Sequence, residues 1–312
     1  MLKRVWVQLI ASAVAASLLV LGVTNGATAQ PARPQTPSGW FHIYSIGHQT
    51  YAISEPKYWQ QNVSYLLIGT RRALLFDTGP GIYSIRAEVE RLTTLPVIAV
   101  PTHLHFDHVG DLPEFSDVRL MEAPGMRSQV RNGHFVETQD QYQLRTPFEY
   151  RVHAWLKPGQ ILDLGGRRVR IVRTPGHTPD SLSIIDQGGK TLFIGDLINR
   201  MGTLYAVPGS DVKAAAASIQ ELRRLGSRDA AIYEAHAEAP ITQQEFVQVA
   251  AAVSAIASNR SSAFTQICLA NTPMRKFMVG VFPILVPVPG GAMQPPLESV
   301  TQELNFLGGP CK

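Results

Sequence analysis

The sequence predicts an α/β fold, on three observations. Short runs rich in Val, Ile and Leu recur along the 312-residue chain. Segments of helical periodicity fall between them. The histidines and aspartates capable of chemistry lie just past the ends of those runs, where α/β folds hold their active groups. Strands are expected near 64–69, 72–77, 96–101, 117–121, 168–173, 181–186, 190–195 and 230–234. They are apolar rather than alternating, as in sheets covered on a face by helices. Helices are expected at 83–94, 124–132, 211–226 and 242–258. The third is the clearest: Asp211 caps it, Val212, Ala215, Ile219, Leu222 and Leu225 recur at helical spacing, and Gly226 closes it. These stripes read as core.

The chain is 45% hydrophobic and 17% charged, ordinary for one large or two small domains. Lys3 and Arg4 precede an apolar run from Val5 to Val23, and Ala27-Thr28-Ala29 before Gln30 is a cleavage pattern. Residues 1–29 therefore read as a secretory signal peptide, which places the mature protein in the periplasm or outside the cell. The run is also long enough to serve as an uncleaved anchor, so contact with a membrane is expected only through this segment. Its removal lowers the formal charge from +4 to +2. So weak a basicity, with no basic stripe or stacking motif, excludes a nucleic-acid partner. Residues 30–39, with Pro31, Pro34 and Pro37, read as a flexible leader. Cys268 and Cys311 lack metal-ligand spacing, and in an oxidising compartment they either pair or remain two thiols.

The most informative segment is Thr102-His103-Leu104-His105-Phe106-Asp107-His108. Three imidazoles and a carboxylate suit zinc better than magnesium or calcium, which take mostly oxygen. A helix would separate His103 from His105 by about 200°, and a strand would turn His108 away from His103. The spacing thus reads as a loop that wraps two metals, after the strand Pro96–Val100. Further candidates stand in similar places. His177 lies in Thr174-Pro175-Gly176-His177, after the run Val169–Val172. Asp196 ends Leu192-Phe193-Ile194-Gly195-Asp196, and His236 follows Ala230–Tyr233. Upstream, Leu74-Leu75-Phe76-Asp77-Thr78-Gly79 is a strand ending in an acid and a tight turn. His42, His48, His134 and His153 lack such a setting and read as structural or surface residues.

Taken together, His103, His105, Asp107, His108, His177, Asp196 and His236 resemble the ligand set of the metallo-β-lactamase superfamily of binuclear metallohydrolases. The Asp77-Thr78-Gly79 turn is similar to its early strand motif, and the likeness spans residues 40 to 245. It implies a four-layer αβ/βα sandwich over residues 40–258, with 259–312 as a C-terminal extension packed on it. It implies one metal on His103, His105 and His177, a second on Asp107, His108 and His236, and Asp196 bridging both. Asp77 is then expected behind the metal loop, orienting it. Two zinc ions, with iron or manganese as alternatives, would share a hydroxide that attacks a carbonyl, and Asp107 would orient it or pass its proton onward. The sequence departs from the family pattern at Asp111, where a second glycine is usual, and at Glu234-Ala235, where Pro-Gly is usual.

The expected activity is hydrolysis of an ester, lactone or thioester of a small molecule. Asp196 favours the glyoxalase II, lactonase and thioesterase branches over β-lactam hydrolysis, which stands as the alternative. Leu156-Lys157-Pro158-Gly159-Gln160, Thr174-Pro175-Gly176-His177 and Tyr205-Ala206-Val207-Pro208-Gly209-Ser210 are similar to the acyl-CoA thioesterase-like branch, although an exported enzyme would not meet cytosolic coenzyme A. A mononuclear-iron persulfide dioxygenase is a second alternative. Residues 133–160, with His134, Tyr142, Phe148, Tyr150, His153 and Trp155, and residues 259–312, with the apolar stretch Phe277–Pro287, are not explained by the basic fold. The stretch is too short and too broken by proline to span a membrane as a helix. It is expected to wall a substrate pocket, make a homodimer contact or pack on the core.

Overall fold

A computed structural model describes residues 36–138, 149–186, 190–269 and 272–289. The signal-peptide and Cys311 expectations, residues 30–35 of the expected leader, and Tyr142 and Phe148 lie outside them. Among the described residues no helix is long and apolar enough to cross a membrane.

The first sheet has nine strands. In chain order they are β1 (His42–Gly47), β2 (Thr50–Ser54), β3 (Val63–Ile68), β4 (Ala73–Phe76), β5 (Val97–Val100), β6 (Asp117–Met121), β7 (Val130–Arg131), β8 (His134–Val136) and β9 (Glu149–Leu156). Their spatial order is β1-β2-β3-β4-β5-β6-β9-β8-β7. The second sheet runs β10 (Ile161–Asp163), β11 (Arg168–Arg173), β12 (Leu182–Asp186), β13 (Thr191–Phe193) and then, past the short β14 (Thr203–Leu204), β15 (Ala231–Tyr233). Strands β4 and β5 are parallel, as are β13 and β15.

Side chains alternate across a strand, and this period of two builds the layers. In β3 and β4, Tyr65, Leu67, Leu74 and Phe76 face the second sheet, packing with Leu162, Val169, Ile171, Ile184 and Phe193. Leu66 and Leu75 point the other way, onto Ile85 and Val89 of α1 (Ile85–Leu92). The far face of the second sheet, through Val172, Ile185, Leu192 and Ile232, packs on α3 (Val212–Leu225) and α4 (Gln243–Ala257). The result is helix, sheet, sheet, helix, as the resemblance implies. Each large apolar side chain buried here contributes roughly 1.5–3 kcal/mol.

The eight expected strands and three of the four expected helices are present. Asp211 caps α3 by accepting the amides of Lys213 and Ala214. Gly226 does close it, but in extended backbone at φ −77°, so the glycine answers to crowding by Leu192 rather than to a left-handed turn. The second expected helix, at 124–132, is absent. A 3-10 turn at Met126–Gln129 leads straight into β7. The reason is Asn132-Gly133, both at positive φ (51° and 81°), which turn the chain back into β8 as an Asn-Gly hairpin does.

The two unexplained segments complete sheets. Phe135 of β8 stacks on Tyr150 of β9 with ring centroids 5.5 Å apart, and β9 adds to the first sheet beside β6. The C-terminal stretch forms β17 (Thr272–Val279) and β18 (Phe282–Pro287), in a four-stranded sheet with β14 and β16 (Thr265–Leu269). Phe277, Phe282, Ile284 and Val286 join the core under α3 and α4, so this stretch packs on the domain. Cys268, in β16, is disulfide-bonded.

Candidate metal centre

The ligand candidates converge because four strands deliver them from their C-terminal ends, and a fifth delivers Asp77 behind them. β4 ends at Asp77 and β5 leads into the His103 loop. β11 leads to His177, β13 to Asp196 and β15 to His236. The metal loop is not loop throughout, since Phe106–Val109 form one helical turn, α2. That turn brings Asp107 and His108 to His236, while His103 and His105 meet His177. Gly195 stands at φ +54°, and a Cβ there would lie 2.8 Å from Thr102 Cβ, so glycine lets the Asp196 turn close against the metal loop.

Three groups result, each with ligand atoms within 4.8 Å of one another: His103, His105 and His177; His103, His108 and Asp196; Asp107, His108 and His236. All seven candidates are brought together. The four other histidines are exposed on the surface.

Hydrogen bonds behind the cluster fix which atoms face inward. His177 Nδ1 donates to the Leu204 carbonyl at 2.7 Å, and His236 Nδ1 to that of Gln60 at 2.8 Å. His108 Nδ1 donates to Asp77 Oδ2 at 2.9 Å. Each turns its Nε2 into the site. His105 Nδ1 lies 2.8 Å from His103 Nε2 and 3.0 Å from His177 Nε2. Three imidazole nitrogens so close form a donor set that one cation would share. Asp107 Oδ2 lies 3.2 Å from His108 Nε2 and 3.8 Å from His236 Nε2. His108 Nε2 and Asp196 Oδ1 are buried without a hydrogen-bond partner. Nitrogen and carboxylate donors in tight triads, with buried polar atoms left unpartnered, fit zinc-type ions.

The electrostatics agree. Burial holds His103, His105 and His177 below the usual histidine range, His105 at about 3. Burial opposes charge on His108 and His236 too, but nearby carboxylates prevail. Asp107, Asp77 and Asp196 carry His108 well up, and Asp196 raises His236 to about 9. Burial likewise works against ionised Asp107 and Asp196, yet His108 and His236 hold both well below the usual carboxylate range. In the metal-free protein, protons on two histidines stand where cations would.

Asp77 behaves as expected. Its Oδ1 accepts the Thr102 amide at 2.6 Å while Oδ2 holds His108. It does so at φ +68°, a left-handed conformation that Asp tolerates and that marks functional turns. The departure at Asp111 is also explained: this buried carboxylate accepts the Ile85 amide at 2.6 Å and so ties the α2 turn to the start of α1.

Several supporting residues carried no recognisable sequence signal. Asn62 Nδ2 donates to the Asp107 carbonyl and to its Oδ2, both at 3.0 Å. Asp180 Oδ2 accepts the amide of Leu104, between two ligand candidates, at 3.1 Å. Tyr58 belongs to the same turn as Gln60 and Asn62, and burial and the charge of Asp107 both raise its phenol. Asn62 precedes β3 in a run of polar residues, and only the folded chain brings it to Asp107.

Known proteins share this fold. The family model described as the metallo-beta-lactamase superfamily matches residues 58–233. Acyl-coenzyme A thioesterase MBLAC2 of Homo sapiens is 28% identical over 218 residues, covering 61% of this chain and 77% of that protein. Hydroxyacylglutathione hydrolase GloC of Haemophilus influenzae is 26% identical over 146 residues, covering 46% and 69%. Among solved structures, a metallo-beta-lactamase from Pontibacter korlensis is similar in fold, with a TM-score of 0.54 at 17% identity over 69% of this chain and 99% of that one. The family match takes in every ligand candidate except His236, which lies just beyond it, and spans more than half of the sequence, so this chain belongs to the metallo-beta-lactamase superfamily.

Proposed function

We propose that this protein is a metal-dependent hydrolase of acyl thioesters, working with two ions, zinc foremost. His103, His105 and His177 would hold one ion, Asp107, His108 and His236 the other, and Asp196 would join them. The observation that carries the two-ion proposal is the position of the Asp196 carboxylate. Its oxygens lie 3.0 Å from His236 Nε2, 3.6 Å from His108 Nε2 and 3.8 Å from His177 Nε2, between the two triads. The thioester class is supported by relatives named for acyl-coenzyme A and for hydroxyacylglutathione.

When bound, the ions supply Lewis acidity for a carbonyl oxygen and a water acidic enough to attack near neutral pH. The protein's own groups do the rest. Asn62 fixes Asp107, whose Oδ2 then orients the attacking water and can accept its proton. Asp77 fixes the tautomer of His108, and the Leu204 and Gln60 carbonyls fix those of His177 and His236. The buried setting of the carboxylates and imidazoles strengthens each of these interactions.

Export, proposed from residues 1–29, would separate the enzyme from cytosolic coenzyme A, so the test must cover several thioester carriers. Purified protein should be assayed for metal content and against acyl thioesters of coenzyme A and of glutathione, lactones, esters and β-lactams. Two ions per chain and a kcat/KM for thioesters at least about tenfold above every other class are expected, a barrier difference of about 1.4 kcal/mol. β-Lactam hydrolysis without thioester hydrolysis would replace the proposal. Bound iron with oxygen uptake on a persulfide would move it to a dioxygenase.

A further inference from the structure

One guanidinium fastens the turn that carries Asp196 to the turn that carries His236. Arg200 lies four residues after Asp196, and Glu234 two before His236. Glu234 is fully buried just past β15. Its carboxylate accepts the Arg200 amide at 3.0 and 3.2 Å and Arg200 Nη1 at 3.0 Å. The remaining donors reach the far end of the same turn. Nη1 donates to the Ala239 carbonyl at 2.9 Å, and Nη2 to the Pro240 carbonyl at 2.9 Å and to Glu245 Oε2 at 3.1 Å. The guanidinium carbon lies 5.0 Å from the ring centroid of Phe282, which backs it from β18. Tyr65 Oη donates to the Glu234 carbonyl at 2.5 Å, pinning that end to the first sheet.

We infer that Arg200 is a positioning residue that sets the 234–240 turn so that His236 meets Asp107 and Asp196, and thereby governs occupancy of that half of the centre. A planar fork can hold both ends of the turn and the start of α4 at once, which a lysine ammonium cannot. Glu234 and Glu245 both face the guanidinium, so the clamp adds no net positive charge beside a cation site. The other triad is held by different groups, among them the Leu204 carbonyl on His177 and the Asp180 carboxylate on the Leu104 amide. The inference rests on the two-ion proposal above, and its readout is metal binding rather than turnover.

The experiment titrates metal-free wild-type, Arg200→Ala and Arg200→Lys proteins with zinc against a chromophoric chelator. Cobalt absorption follows each site separately, and circular dichroism checks the fold. In Arg200→Ala one ion should bind as in the wild type while the other weakens 10- to 100-fold. Arg200→Lys should keep the fold and still lose at least tenfold at that one ion. Equal weakening of both ions, or wild-type affinity for both in a folded variant, would overturn the inference. If Arg200→Ala does not fold, the lysine variant carries the same comparison, and unchanged affinity there overturns it. Wild-type protein that binds two ions but cleaves no thioester would remove the substrate proposal and leave the Arg200 test valid. Wild-type protein that binds at most one ion would overturn both.

Discussion

Asp77 and His108 are 31 residues apart in sequence and share a hydrogen bond of 2.9 Å, with both side chains almost wholly buried. The other Asp77 oxygen takes the Thr102 amide. One carboxylate thus sets both the start of the metal loop and the tautomer of its last histidine. Asp77→Asn should keep much of the shape but weaken metal binding on the His108 side by about 10- to 100-fold. Asp77→Ala should in addition cost on the order of 1–3 kcal/mol of stability, because the Thr102 amide and His108 Nδ1 lose their acceptor. Chelator competition and urea unfolding measure the two effects separately. Unchanged metal affinity in Asp77→Asn would show that His108 needs no fixing.

Asp196 tests the two-ion arrangement most directly. Its carboxylate lies between the triads, so Asp196→Ala should lower the affinity of both ions and reduce kcat by about 10²-fold or more. His177→Ala should instead affect mainly the ion expected on His103 and His105. Metal analysis of both variants beside steady-state kinetics would decide the matter. An Asp196→Ala protein of wild-type activity would end the two-ion account.

Much of this site was legible in the sequence because its ligand candidates come in short motifs placed at strand ends, and strand ends are signalled locally by apolar runs closed by glycine or acid. The supporting residues were not legible, because their partners are distant in sequence. Asn62 meets Asp107 across 45 residues and Gln60 meets His236 across 176. The strands missed at β1 and β9 are partly exposed, and β2, though buried, has Thr50 and Ser54 at its ends, so all three lack the continuous apolar run that revealed β4 or β5. The helix wrongly expected at 124–132 shows turn chemistry overriding helical spacing: Asn132-Gly133 was a visible hairpin signal. The stretch Phe277–Pro287 could not be assigned from composition, since a core strand and a pocket wall are both apolar.

The two halves of the fold are joined by a buried arginine away from the centre. Arg167 Nη2 donates to Asp186 Oδ2 at 2.6 Å and to Thr50 Oγ1 at 2.5 Å, and its Nη1 reaches the Gln49 carbonyl at 3.0 Å. Arg167 therefore ties the second sheet to β2 in the first. Arg167→Met should destabilise by about 3–5 kcal/mol, because it removes the cation from a buried carboxylate. The double variant Arg167→Met/Asp186→Leu should recover part of that loss. Both should keep the metal content of the wild type. Urea unfolding of the two variants measures this, and a single variant within about 1 kcal/mol of wild type would show that water or other groups satisfy Asp186.

Metal loading should release protons, and the sign follows from the centre's own charges. His108 is carried well above the ordinary histidine value and His236 to about 9, so both hold protons at pH 7 in the metal-free protein. His103, His105 and His177 are held low by burial and are already neutral there. The His103, His105 and His177 group should therefore load first, with little pH dependence above pH 7. The Asp107, His108 and His236 group must shed its protons, so its affinity should climb as pH rises toward 9. Stability of the metal-free protein runs the other way. A histidine with a raised folded value stabilises fully below its unfolded value of 6.5 and loses that contribution as pH rises through about 9, so the metal-free protein should weaken over that window. On the acid side, the buried neutral histidines are lowered, and stability should also fall as pH drops below 6.5. Calorimetric titration at pH 7 in two buffers of different ionisation enthalpy should find about two protons released on full loading, nearly all with the second ion. Release of none, or release shared evenly between the ions, would mean that His108 and His236 are not the groups that cations displace.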